Sequence, residues 1–153
     1  MKKIFVSLSL MVTLGLATVH ANDNVDVNYK IKESFKKEFA GATSVKWAKD
    51  KEFQTATFIF YDHLVMAYFD TNGELLGSAR DIAFYELPMA VINSIDKNFA
   101  AFDFMEVLEI SNAEGTFYRI TIENEHKRYN IKLDAGGNLL RTTRVKKPKI
   151  VNA

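Results

Sequence analysis

The chain has no cysteine, two prolines, one tryptophan and seven scattered glycines in 153 residues. Without cysteine there is no disulfide framework, no thiolate for a metal or a nucleophile, and no attachment point for the lipid of a bacterial lipoprotein. The fold must therefore be held by its core alone. The glycines form no phosphate cradle, and "AGGN" at 135–138 reads as the closure of a hairpin. There is no GxSxG elbow, and no serine is tied by local sequence to a histidine or carboxylate. Charge of one sign is lacking too: 20 basic residues face 19 acidic ones.

What is present begins with the stretch "MKKIFVSLSLMVTLGLATVHA", where Lys2 and Lys3 precede an apolar run and Val19, His20 and Ala21 supply a small-x-small end. This reads as a signal peptide, residues 1–21, cleaved after Ala21. The competing reading is a retained anchor, but the run from Ile4 to Val19 is short against the roughly 20 residues a membrane span needs. A periplasmic or secreted location follows. Loss of Lys2 and Lys3 leaves 18 basic against 19 acidic residues, a formal charge of −1, so there is no general field for nucleic acid. The one basic cluster, Arg141, Arg144, Lys146, Lys147 and Lys149, reads as a solvated, frayed tail.

Downstream, Val27, Ile31, Phe35 and Phe39 recur every four positions, which places one apolar stripe on a helix. Sixty positions on, Leu87, Val91, Ile95 and Phe99 repeat it, with Pro88 in the first turn. After each helix the period falls to two, as in "EFQTATFIFYD" and "HLVMAYFD", with a tight turn expected at Asp62 and His63. "FDTNGELL" (Phe69 to Leu76) and "LDAGGNLL" (Leu133 to Leu140) then occupy matching places, each with an aspartate to bond the turn backbone and a glycine for positive φ. The expected architecture is α+β: two tandem repeats, 22–86 and 87–146, each an amphipathic helix packed on about four antiparallel strands, then a basic tail at 147–153. A unit of about 60 residues is marginal alone, so the two are expected to pack together across the junction "RDIAFYE".

At "FAGATSVKW" (Phe39 to Trp47), "ELP" (Glu86 to Pro88) and the paired "FDTNG" and "LDAGG" turns, the chain resembles the PepSY-like family of exported bacterial proteins, also described as like beta-lactamase inhibitory protein. The resemblance spans Val25 to Lys146. It implies a signal peptide, tandem helix-plus-sheet repeats and a binding or inhibitory role, and it carries over no contact residue. The second repeat departs from the pattern, with "FAAFDFMEV" where the first has "FAGATSVKW".

Candidates for chemistry are sparse. His63 beside Asp62, and His126 beside Glu123 and Glu125, lack established metal spacing, and "DTNGEL" lacks the glycine and distal glutamate of an EF-hand. Neither catalytic, metal nor cofactor residues are expected, and the chain reads as a non-enzyme.

The difference between the copies is more informative. In the second, one strand face carries Tyr118, Ile120, Ile122, Tyr129, Ile131 and Leu133, while the other carries Arg119, Thr121, Glu123, Arg128, Asn130 and Lys132. In the first copy the face expected to be wet reads Ile59, Tyr61, Leu64, Met66 and Tyr68, with Tyr61 facing Leu64 and Ile59 facing Met66 across the expected turn. Apolar patches of this kind mark contact surfaces. The expectation is a protein partner at this patch, with inhibition of an envelope or extracellular enzyme as one form. The alternatives are a small apolar ligand carrier and a structural or self-associating protein, a homodimer included. Trp47 reads as core.

Overall fold

The structure, a computed structural model, describes residues 25–147. The leader, its cleavage point and Lys149 lie outside these residues. Helix α1 (Tyr29–Glu38) is followed by β1 (Thr43–Lys49), β2 (Phe53–Phe60), β3 (His63–Asp70) and β4 (Leu75–Asp81). A short 3₁₀ turn (Phe84–Glu86) leads into α2 (Met89–Phe99), then β5 (Asp103–Asn112), β6 (Gly115–Glu123), β7 (Arg128–Asp134) and β8 (Leu139–Val145). The eight strands form one antiparallel sheet in chain order, with β4 and β5 paired at its centre.

Helix α1 starts where Asn28 accepts the Lys30 N–H at 3.0 Å, while the Asn28 amide donates to the Thr71 carbonyl at 3.1 Å. One side chain thereby caps the helix and ties it to the β3–β4 turn. Pro88 is the residue just before α2, and its carbonyl accepts the Val91 and Ile92 N–H groups. Both apolar stripes face the sheet: Val27, Ile31 and Phe35 are buried, as are Leu87, Val91 and Ile95.

Cross-strand pairing fixes which side chains share a face. The row Phe58, Val65, Arg80, Glu109, Tyr118, Leu133 runs across β2 to β7 on the side that both helices cover. Along this row the core divides. α1 packs on Ala56, Phe58, Val65, Ala67 and Phe69, with Trp47 edge-on to Phe35 at 5.2 Å. α2 packs on Val107, Tyr118, Ile120, Ile122, Ile131 and Leu133. Between them lies a polar seam, where Arg80 Nη2 is 3.0 Å from Glu109 Oε1 and the Tyr118 hydroxyl donates to Glu109 Oε2 at 3.4 Å. Burial first, and the Glu109 charge second, push the Tyr118 phenol up from its ordinary pKa.

Two sequence expectations need correction. The β2–β3 turn is made by Tyr61 and Asp62, at φ 48° and 64°, not by Asp62 and His63. Consecutive left-handed residues are the signature of a type I′ turn, whose twist suits a two-residue hairpin. Ile59 therefore faces Leu64 and Thr57 faces Met66. Moving a turn by one residue moves the pairing by two, so the side chains keep their faces while Tyr61 leaves the ladder. Second, Arg141 and Arg144 are not in a frayed tail but in β8, the edge strand, where they pair opposite Lys132 and Tyr129. Charge on an exposed edge discourages strand addition by another chain.

Candidate binding face

The face without helices is built by the alternate residues of every strand. One row crosses it from Thr57 through Met66, Ala79 and Ile110 to Phe117. The neighbouring rows contribute Ile59 opposite Leu64, Tyr68 opposite Gly77, and Leu108 beside Arg119. Apolar residues thus extend from β2 to β6 on the side that neither helix covers, with Ala79, Leu108 and Tyr68 buried beneath their neighbours.

The five patch residues differ in exposure. Tyr61 is 80% exposed and Leu64 48%, Ile59 and Met66 are half-buried, and Tyr68 is only 8% exposed. Tyr61 sits in the turn with its ring 4.4 Å from that of Phe60, a residue of the helix side, so it stands at the end of the hairpin and outside the open-face ladder. Tyr68 faces Gly77, its ring is edge-on to Phe53 at 5.9 Å, and its hydroxyl lies 3.9 Å from Met66 Sδ. Burial pushes its phenol up, opposed by the charge of Arg119. The pairing brings Ile59, Leu64, Met66 and Tyr68 together on one surface.

Beyond Phe117 the same face turns polar. Thr121, buried at 4% exposure, lies within hydrogen-bond reach of Glu106 (3.3 Å) and Asn130 (3.0 Å). Lys132 Nζ lies 3.9 Å above the Phe117 ring, a cation–π contact at the border. Burial pulls the Arg119 guanidinium down from its ordinary pKa, while Glu106 and Tyr68 act against this. The polar face of the second half was legible as the alternation of Arg119, Thr121 and Glu123. Ala79, Leu108 and Ile110 of the two central strands were not among the residues expected on this face, nor was Phe117 at the start of β6. Their signal was there in the alternation of "LLGSARD" and "EVLEIS".

The histidines are placed apart. His63 Nδ1 lies 2.9 Å from the Asp81 carbonyl and Nε2 lies 3.5 Å from Glu86, whose other oxygen accepts the Ala83 N–H at 2.7 Å. His63 thus ties the start of β3 to the junction before α2. His126 lies in the exposed turn between β6 and β7. Among the described residues no group of three or more His, Asp or Glu side chains gathers as a metal site. Nor is any described helix long and apolar enough to cross a membrane.

Among the described residues these features define an α+β architecture with two helices on one side of an eight-stranded antiparallel sheet, the other side carrying no helix. The same fold is found in solved structures. A BLIP-like protein from Bacteroides fragilis superposes with a TM-score of 0.75 at 20% identity, covering 85% of this chain and 94% of that one. A DUF2874 family protein from Bacteroides ovatus gives 0.75 at 18% identity, over 84% of this chain and 96% of that one. A protein from Bacteroides eggerthii with a provisional periplasmic assignment gives 0.72 at 20% identity, over 77% and 88%. No family model matches the sequence, and no curated protein does. At these identities the likeness is one of fold, and it agrees with the BLIP-like part of the resemblance.

Proposed function

We propose that this is an exported, non-enzymatic binding protein of the PepSY-like family, built from two tandem helix-plus-sheet units, that engages a protein partner through the open face of the sheet. The observation that carries the reading is the unbroken apolar row Met66, Ala79, Ile110, Phe117, flanked by Ile59, Leu64 and Tyr68, on the face that neither helix covers. Tyr61 supports it. A tyrosine held at φ 48° where a turn favours Asn, Asp or Gly costs about 1 kcal/mol, and its 80% exposed ring at the end of the β2–β3 hairpin is available for contact. The BLIP-like fold favours inhibition of an envelope or extracellular enzyme as the form of engagement. The partner-binding patch is Ile59, Tyr61, Leu64, Met66 and Tyr68.

Tyr61→Glu combined with Met66→Lys tests the proposal. Helical circular dichroism and melting should be nearly unchanged while capture of a specific partner from envelope extract is lost. Large destabilisation would show that the face is internal. Light scattering tests the rival occupant, since a dimer that these changes convert to monomer makes the patch a self-interface. A small molecule retained in native mass spectra would instead indicate a ligand carrier.

A further inference from the structure

At one end of the sheet, away from the apolar field, the β6–β7 turn and the segment after β8 enclose an open cleft of about 550 Å³ lined by His126, Arg128, Arg144, Val145, Lys146 and Lys147. The turn is held in shape by Asn124, whose Oδ1 accepts the N–H groups of His126 at 3.1 Å and Lys127 at 3.0 Å. Lys147 straps the C-terminal segment onto that turn, its ammonium donating to the carbonyls of Asn124 at 2.7 Å and Glu125 at 3.3 Å. Both walls are therefore built, and they are joined.

Glu123, at the end of β6, is 3.6 Å from Arg128 and 3.8 Å from Lys147, so its charge is already offset by two cations. Glu125 lies on the rim, 92% exposed and 4.0 Å from His126. Arg144 and Lys146 have no acidic partner among the described residues. Of the cationic residues lining the cleft, Arg128 and Lys147 are thus engaged by Glu123, which leaves Arg144 and Lys146 as its positive charge without an acidic partner among the described residues.

The distribution of charge over the chain points the same way. Residues 22–122 hold 10 basic and 16 acidic residues, whereas residues 123–153 hold 8 basic and 3 acidic. The C-terminal 31 residues are thus the most basic stretch of the chain, residues 30–51 of α1 and β1 being a second with 7 basic and 3 acidic residues, and a cleft concentrates the field at the first of them. The guanidinium fork of Arg144 suits an oxyanion presenting two oxygens, Lys146 adds a point charge, and the His126 ring can donate a hydrogen bond.

We propose that this cleft binds a phosphate monoester or diphosphate group bearing two or more negative charges. It is a second site, independent of the open sheet face. The charge comes either from a soluble phosphate compound or from an anionic lipid headgroup, and the recognition chemistry is the same.

The test is a proton–nitrogen NMR titration of residues 22–153 with inorganic pyrophosphate at low ionic strength. Saturable shifts confined to 124–128 and 143–147 are expected, with binding at least tenfold weaker in Arg144→Ser/Lys146→Ser and unchanged in Lys36→Ser/Lys37→Ser, which removes equal charge from α1. Should the first double variant lose its fold, Lys146→Glu, outside any strand, carries the test alone. Shifts that fail to saturate by about 10 mM, or that weaken equally in both double variants, would overturn the site in favour of diffuse attraction. Sedimentation with vesicles containing phosphatidic acid, whose headgroup is a phosphate monoester, competed by pyrophosphate, identifies a lipid headgroup as the source. Saturable pyrophosphate binding without sedimentation identifies a soluble phosphate.

Discussion

Gly137 lies so close beneath the first turn of α2 that a Cβ there would stand 2.7 Å from the Ala90 carbonyl carbon and overlap its oxygen. Gly73 bears the same relationship to α1, where a Cβ would stand 2.9 Å from the Lys30 carbonyl carbon and oxygen. Each helix therefore rests its first turn on the glycine of a hairpin, and the two aspartate-glycine phrases of the sequence acquire a packing role beyond turn closure.

Alanine at either position should be costly. Gly137→Ala combines a left-handed φ of 79° with backbone overlap and should destabilise by about 3 kcal/mol or more. Gly73→Ala should follow closely. Gly41→Ala is the control, since its φ is 92° but nothing lies within 4 Å of its Cβ, and conformational strain alone predicts about 1–2 kcal/mol. Urea unfolding of the three variants checks the order, and equal losses would rule out the helix contact as the cause.

Tyr61→Asn should stabilise the fold by about 0.5–1 kcal/mol, because asparagine accepts the left-handed conformation that tyrosine resists. The same change removes the most exposed ring of the proposed contact patch. Thermal melting should rise by a few degrees while partner capture falls. A lower melting temperature would mean that the contact with Phe60 at 4.4 Å outweighs the strain.

Acid sensitivity should centre on the two turn aspartates. Burial tends to raise the Asp70 carboxyl, but the N–H groups of Glu74 at 2.8 Å and Asn72 at 2.9 Å outweigh it, and the net shift is downward. Asp134 is lowered by the Asn138 side chain at 2.9 Å and by its backbone N–H at 2.9 Å. A carboxylate with a depressed folded-state pKa adds stability that is complete above its unfolded value of about 4 and is lost as pH falls through the folded value. Melting temperature should therefore decline on acidification below about pH 4. In Asp70→Asn/Asp134→Asn it should start lower at neutral pH and decline less. An unchanged acid limb in that variant would place the sensitivity elsewhere.

Much of the fold was legible because its signals are local. The four-residue stripes of α1 and α2, the period-two strands and the aspartate-glycine turns each report on a few adjacent residues, and both stripes are buried against the sheet. The shared face of Ile59, Leu64, Met66 and Tyr68 was legible for the same reason, since strand alternation survives a turn misplaced by one residue, whereas Tyr61 was placed in a strand and lies in the turn. The position of that turn was not legible. His63 is an ordinary turn residue by composition, but it enters β3 to meet Asp81 and Glu86, partners 18 and 23 positions away.

The sequence by itself determined the elements and their wet and dry faces, because helix and strand periodicities are properties of neighbouring residues. Only the tertiary structure decided that β4 and β5 join the halves into one sheet, that Ala79, Ile110 and Phe117 extend the apolar field, and that Arg144 and Lys146 line a cleft with His126. Those relationships depend on register between strands distant along the chain. Register is set by the pairing of whole strands and the packing of two helices on one side, which no short stretch of sequence encodes.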